Sequence, residues 1–389
     1  MLKLNKLFLY ETRPEPFGRQ IEPEPWQKRF LVECKNKIRD HLRDGIRQAS
    51  KTVLGMDAMV TPKFRTQGSW MYQTCVRPAE LPPQQMDWDY GVYLPAKLWE
   101  NQRPKVAAKV YFELVEGLLQ GLCKQEGWKL LEGRACKDTC IRIEVDSWAH
   151  IDIPLYAAPE DQFALITERV EFAHRSALNK AQAGVLDTLE EEPFAWEDLE
   201  TIVMATRAGE WKPSDPGAVA QWFQDCISVH GEQLQRICRY VKAWRDFHWT
   251  TGGPSSILLM IIVARGFVPN PRRDDLVLEE AAARLASELR GNVYEKAIGD
   301  GTEDFNRLSA TERAFAADAA ASLRAALRQA RSRSAVQKAE AINDVRQQLG
   351  DRIPFIEDWV ELEAGAIDAV QASAPKYVPS PKVTTTLAG

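Results

Sequence analysis

The sequence predicts an α+β fold: a mixed sheet with helices against it, a long helix ahead of it, and a helical domain after it. Three observations carry this. Apolar residues alternate at period two in short runs confined to the first half, as in "CIRIEVD" and "AHIDIPLYA". Long stretches of helical periodicity flank those runs. From about Thr201 onward the period-two signal fades and helical periodicity takes over. A chain of 389 residues has room for about two domains. The boundaries read as 1–205 for the sheet-bearing domain with its N-terminal spine helix, 206–374 for a helical domain closing a cleft, and 375–389 for a tail.

Taken in order, residues 26–53 carry apolar side chains at helical intervals among many charges and predict one long amphipathic helix. "KFRTQGSWMYQT" predicts a strand broken by a Gly-Ser turn, and "MDWDYGVYLP" a second strand ended by Pro95. "PKVAAKVYFELVEGLLQGLCKQEG" has helical periodicity with a glycine where a C-cap is expected. "CIRIEVD" and "AHIDIPLYA" are the next strands. Four helical stretches follow, beginning near Pro216, Ser255, Asp274 and Ser309; the last has Ser309 three residues before Glu312, the spacing of a capping box. The final fifteen residues, "PKYVPSPKVTTTLAG", have little to bury and predict a flexible tail.

Composition sets the environment. The chain is 45% hydrophobic and 27% charged with a net charge of −5, an ordinary soluble globular balance with no global attraction for nucleic acid or an anionic membrane. Phosphate chemistry must therefore be local. The N-terminus does not read as a signal peptide, and the longest apolar run, Ile257 to Ala264, falls far short of the ~20 residues that span a bilayer. Cytoplasmic location is the expectation. Seven scattered cysteines suggest reduced, packed thiols; Cys136 and Cys140 have half-site spacing for zinc, but no second Cys/His pair follows.

The chemistry lies in the strands. Side chains alternate across a strand, so Asp87 and Asp89 share one face while Met86, Trp88 and Tyr90 share the other. Two like charges held that close cost stability unless a cation or hydrogen bonds compensate them. In "HIDIP", Ile151 and Ile153 enter the packing and His150 and Asp152 take the opposite face. If the two strands pair, Asp152 completes a cup of hard oxygen ligands suited to Mg²⁺ or Mn²⁺. The Gly68-Ser69 turn adds a backbone that can approach an oxyanion closely. Metal-holding carboxylates facing phosphate-holding amides describe metal-assisted phosphoryl or nucleotidyl transfer.

Gly-Ser, a spacer, Asp-x-Asp on a strand and a lone Asp on a later strand resemble the polymerase-β-like nucleotidyltransferase superfamily. Within it, "FRTQGSWMYQTCVRPAELPPQQMDWDYGVYLP", "AHIDIPLYA", "WKPSDP" and "RICRYVKAWRDFHWTTGGPSSILLM" resemble the bacterial cyclic GMP-AMP synthases of the DncV type, members of the cGAS/DncV-like nucleotidyltransferases of CBASS antiphage systems. The resemblance covers roughly residues 26–265 and implies a polymerase-β-like core. It implies that Asp87, Asp89 and Asp152 are the catalytic and metal-binding residues for two Mg²⁺ or Mn²⁺ ions, and that Gly68, Ser69, Lys242 and Ser256 hold the donor triphosphate. Tyr72 would stack on a base, and Ser214 and Asp215 would read the base in the manner of purine-selecting members. ATP and GTP are the implied substrates, 3′,3′-cyclic GMP-AMP the implied product, and a monomer the expected state. The resemblance also implies a ubiquitin-transferase-like (E1/E2 fusion) partner acting on Gly389.

The residues themselves admit plainer roles. Lys242 sits at the edge of a stripe of Leu234, Ile237, Val241 and Trp244 and could simply snorkel, while Arg245 lies inside that stripe as a paired structural arginine. Ser255 or Ser256 can cap the following helix, and Ser214 or Asp215 can do so before Pro216. Tyr90 stands where close relatives tend to carry another acid, and the loop ahead of Asp87 differs from theirs. Alternatives to the synthase are an enzyme on the same fold making a linear oligonucleotide or tailing RNA, and a conjugated or scaffolding protein acting through its C-terminal glycine.

Overall fold

The computed structural model describes residues 1–363 apart from 12–13, 98–103, 105, 132–136, 177–195, 197–201, 215 and 299–300. Its strands are β1 (Leu2–Lys3), β2 (Lys63–Gln67), β3 (Met86–Ala96), β4 (Lys129–Leu130), β5 (Ile141–Asp146), β6 (Ala149–Ile153), β7 (Leu155–Pro159), β8 (Val203–Ala205), β9 (Trp211–Pro213) and β10 (Glu361–Leu362). The mixed sheet runs β4-β5-β6-β3-β7-β8-β9, and β2 pairs antiparallel with β3. β6 and β7 both run parallel to β3, at Met86 to Asp89 and at Val92 to Ala96. "AHIDIPLYA" is thus one line of chain broken at Pro154, whose carbonyl accepts from the Val92 N–H at 3.0 Å.

The spine helix spans Pro25–Ala49, with proline in its first turn and a reciprocal cap between Glu24 and Gln27. It ends earlier than its periodicity predicts because the Ser50 hydroxyl donates to the Ile46 carbonyl and accepts from the Val60 N–H, turning the chain toward β2. Leu31, Ile38, Leu42 and Ile46 pack with Trp88, Tyr90, Val92 and Leu94 of β3 and with the helix Ala108–Glu126, which stops at left-handed Gly127 as expected. β3 therefore buries its even-numbered side chains there. Its odd-numbered side chains point the other way.

The second half is helical: Pro216–His230, Glu232–His248, Ser256–Ala264, Asp274–Glu288, Ala310–Ser332 and Lys338–Leu349. The Ser309/Glu312 capping box is present. Two boundary expectations need correction. The sheet does not stop at 205: β9 extends it to Pro213, a strand too short to show periodicity. Residues 1–21 do not belong with the sheet, because Leu2, Leu4, Leu7, Phe8, Phe17 and Ile21 are buried in the core of the helical half, and β1 pairs with β10 at its far end. Among the described residues no helix is long and apolar enough to cross a membrane.

Candidate active site

The register of β3 against its neighbours builds the floor of the site. Asp87 lies opposite His150 and Asp89 opposite Asp152, while on β5 Arg142 lies opposite Asp152. Asp87, Asp89, His150, Asp152 and Arg142 thus share one face across three strands. β2 delivers Gly68 and Ser69 to the same place, since Gln67 is paired with Asp89. The chain does not continue as a strand after the Gly-Ser pair, as the sequence predicts; Gly68–Met71 forms one helical turn. Trp70 fixes that turn by donating from Nε1 to the Asp87 carbonyl at 2.8 Å and stacking on Trp88 with ring centroids 4.3 Å apart.

Gly68 is required twice over. Its φ is +61°, and a Cβ there would lie 2.0 Å from Asp89 Oδ2. Gln67 sets the turn from beneath, donating to the Tyr93 hydroxyl at 2.6 Å and accepting from that of Tyr156 at 3.1 Å. Gly91 leaves room for it: a Cβ there would lie 2.5 Å from Gln67 Nε2.

Above this floor lies a cavity of about 1350 Å³, walled on the other side by the helical half. Gly68, Ser69, Tyr72, Asp87, Asp89, Ser214, Lys242 and Ser256 all line it. Lys242 is 3% exposed, a deeper position than the stripe's edge implies, and donates to the Thr74 carbonyl at 2.7 Å. Burial pushes its ammonium below the usual lysine range. Ser255 is the helix cap, accepting from the Leu258 N–H, which leaves the Ser256 hydroxyl to Arg245 at 3.1 Å. Arg245 also pairs with Asp246, as the sequence predicts, and lines the cavity as well. Tyr72 packs its edge on Phe223 at 6.1 Å. Asp215, Cys136 and Gly389 lie outside the described residues.

The carboxylates are not equivalent. Burial, with the Asp87 and Asp152 charges added to it, pushes the Asp89 carboxyl well above the usual range. Burial would raise Asp152 as well, but hydrogen bonds from Arg142 and the charges of Lys137 and Arg142 overcome it and hold that group at about 2. Arg142 grips both Asp152 oxygens, at 2.6 and 2.7 Å, and Lys137 reaches one at 3.0 Å. The expected open cup therefore needs correction: Asp152 arrives at the right face already paired, and among the described residues no group of three or more His, Cys, Asp or Glu is arranged around a metal position. A cation still fits. Asp87 Oδ1 is buried without a partner, and Asp87 and Asp89 offer oxygen donors whose mutual repulsion a divalent ion would relieve.

Sequence reasoning missed Arg142, Lys137, Gln67 and the cavity role of Arg245. Arg142 was within reach, because period two in "CIRIEVD" puts it on the polar face of its strand.

Two family models match, in order: the nucleotidyltransferase domain of cyclic GMP-AMP synthase DncV-like proteins at residues 62–156, and the cyclic GMP-AMP synthase C-terminal domain at residues 231–361. A cyclic GMP-AMP synthase of Vibrio cholerae serotype O1 is 39% identical over 236 residues, 57% of this chain and 52% of that protein. One of Escherichia coli strain TW11681 is 35% identical over 206 residues, 52% of this chain and 46% of that protein. The chain spans about half the length of the curated relatives it matches. Among solved structures, the Vibrio cholerae DncV complex with the linear intermediate 5′-pppA(3′,5′)pG has a TM-score of 0.74 at 24% identity, covering 94% of this chain and 99% of the other. The 3′-deoxy GTP form of Escherichia coli DncV has a TM-score of 0.72 at 22% identity, covering 93% and 100%. That likeness carries the fold, a polymerase-β-like core with its helical partner. With both domain models in sequence and the aspartates on the strands where the fold needs them, the chain belongs to the DncV-like nucleotidyltransferases.

Proposed function

We propose that the chain is a divalent-cation-dependent nucleotidyltransferase that joins ATP and GTP into 3′,3′-cyclic GMP-AMP. The observation that carries this is the register of β3 and β6, which seats Asp87 and Asp89 beside Asp152 under the Gly68-Ser69 turn. The cavity, about 1350 Å³, exceeds the roughly 300–1,000 Å³ typical of single-ligand pockets, so it has room for two nucleotides. The relatives named cyclic GMP-AMP synthase support the choice of product.

The reaction is in-line attack by the 3′-hydroxyl of one nucleotide on the α-phosphorus of the other. A P–O bond forms, the bond to the β-phosphate breaks, and pyrophosphate leaves with its electron pair. A divalent ion held by Asp87 and Asp89 would supply Lewis acidity at the phosphate oxygens and lower the cost of ionising the hydroxyl. Gly68 lets the backbone approach the donor phosphates, and Lys242, with Arg245 one turn along the same helix paired to Ser256, meets the charge that accumulates on the leaving group. Burial and the neighbouring carboxylates raise the Asp89 carboxyl, and counter-charge arriving in the site would favour its ionised form. Asp152 must loosen its hold on Arg142 and Lys137 before it can orient the hydroxyl. Those two cations are then free for phosphate oxygens.

The test is to incubate the full chain with four labelled nucleoside triphosphates and Mg²⁺, treat with phosphatase, and identify resistant products by mass spectrometry. The expected product is a cyclic purine dinucleotide, absent when Asp87→Asn and Asp89→Asn are combined. A linear product, or activity surviving in the double variant, would overturn the reading.

A further inference from the structure

We propose that His150 supplies a nitrogen ligand to the cation held by Asp87, so that the site favours a first-row transition ion such as Mn²⁺ over Mg²⁺. This rests on the metal-dependent reading above and adds the identity of a ligand to it. His150 on β6 lies directly opposite Asp87 on β3, so their side chains share a face, and both line the cavity. The imidazole is 6% exposed.

Its tautomer is fixed by a short chain of hydrogen bonds. The Gln85 amide nitrogen donates to the Ser147 carbonyl at 3.2 Å, which turns the amide oxygen toward the ring. That oxygen lies 3.0 Å from His150 Nδ1. An amide oxygen only accepts, so Nδ1 carries the hydrogen, and in the neutral ring Nε2 carries a bare lone pair. Nε2 is buried with no hydrogen-bond partner, and so is Asp87 Oδ1. These are two stranded atoms on register-paired residues that line one cavity, and a single cation between them would satisfy both.

The arrangement is that of a metal-binding histidine whose far nitrogen donates to a carbonyl-type oxygen, a contact that orients the ring and raises its basicity. Carboxylates alone suit Mg²⁺; an imidazole moves preference toward the first-row ions, whose affinity for nitrogen exceeds that of Mg²⁺.

The experiment is Mn²⁺ binding to the full chain, alone and with ATP, followed by electron paramagnetic resonance with detection of nitrogen coupling. The wild type is expected to show coupling from a directly bound ¹⁴N that changes on ¹⁵N-histidine labelling. Among the described residues His150 is the histidine that lines the cavity, and labelling needs no substitution that could disturb folding. In His150→Gln the coupling is expected to vanish and the Mn²⁺ dissociation constant to rise about tenfold or more, with Mg²⁺ affinity changed less than about threefold. Gln85→Leu is expected to keep the coupling and weaken Mn²⁺ binding by a smaller factor. Mn²⁺ that binds, is lost in Asp87→Asn, and shows no nitrogen coupling would overturn the proposal and leave the metal-dependent reading standing. No Mn²⁺ binding with or without ATP would overturn both.

Discussion

At the scale of single residues, the site trades stability for chemistry. Lys242 is buried at 3% exposure, with its ammonium below the usual range because burial disfavours charge. The folded state therefore binds the lysine proton less tightly than the unfolded chain does, and the charged form costs stability that returns only as pH rises through the lowered folded value. Lys242→Met is expected to raise stability by about 1–2 kcal/mol in denaturant titration while cutting kcat/KM at least about a hundredfold. Gly68→Ala is expected to fail in both respects. Its Cβ would fall 2.0 Å from Asp89 Oδ2 at a φ of +61°, costing about 1–3 kcal/mol and displacing the carboxylate, so that synthesis drops while nucleotide-free folding persists. The Asp-x-Asp pair was legible because a strand's period of two is rigid, and His150 was placed on the right face for the same reason. Its tautomer was not legible. It depends on Gln85 and Ser147, whose meeting with the ring is set by where β6 lies against β3.

At the scale of elements, what matters is that β5, β6 and β3 lie side by side in one register. Arg142, Asp152 and Asp89 form a row across the three strands, so the same pairing that brings the carboxylates together also brings their counter-charge. Asp152 sits at about 2 in the fold against a usual 3.8. A carboxyl lowered on folding contributes stability that is present above its unfolded value and lost as pH falls through its folded value. The contribution is about 2–3 kcal/mol, lost between about pH 4 and pH 2. Arg142→Met is therefore expected to lower the unfolding free energy by about that amount at pH 7, with the gap from wild type shrinking as the pH drops through that window. A gap that stays constant with pH would mean the arginine acts by packing alone. The strands in this row were readable as strands, but β8 and β9 were not. Three residues each are too few for periodicity, and they exist because β7 offers an edge for β8, and β8 one for β9.

At the scale of the whole molecule, the N-terminal segment ties the halves together. The first 21 residues hold only short elements, and nothing in their pattern says which half they join. The structure assigns them to the helical core: Leu2, Leu4, Leu7, Phe8, Phe17 and Ile21 are each 0% exposed there. Leu4 donates its N–H to Asp275, and the Asp274 N–H donates to Asn5, which fastens the N-terminus to the start of the helix Asp274–Glu288. The chain then crosses to the sheet, so the helical half is completed by residues that precede the sheet in sequence. A fragment of residues 206–363, cut where sequence alone would divide the molecule, therefore lacks part of its own core. At about 1.5–3 kcal/mol for each buried side chain, losing these six costs roughly 10 kcal/mol or more, comparable with the 5–15 kcal/mol that holds a whole domain. That fragment is expected to show no cooperative thermal transition by circular dichroism. Joining residues 1–21 to its N-terminus through a flexible linker is expected to restore one, and Phe8→Ala in the joined fragment to lower it again. Cooperative folding of 206–363 alone would show that the N-terminal arm covers a finished core and does not complete it.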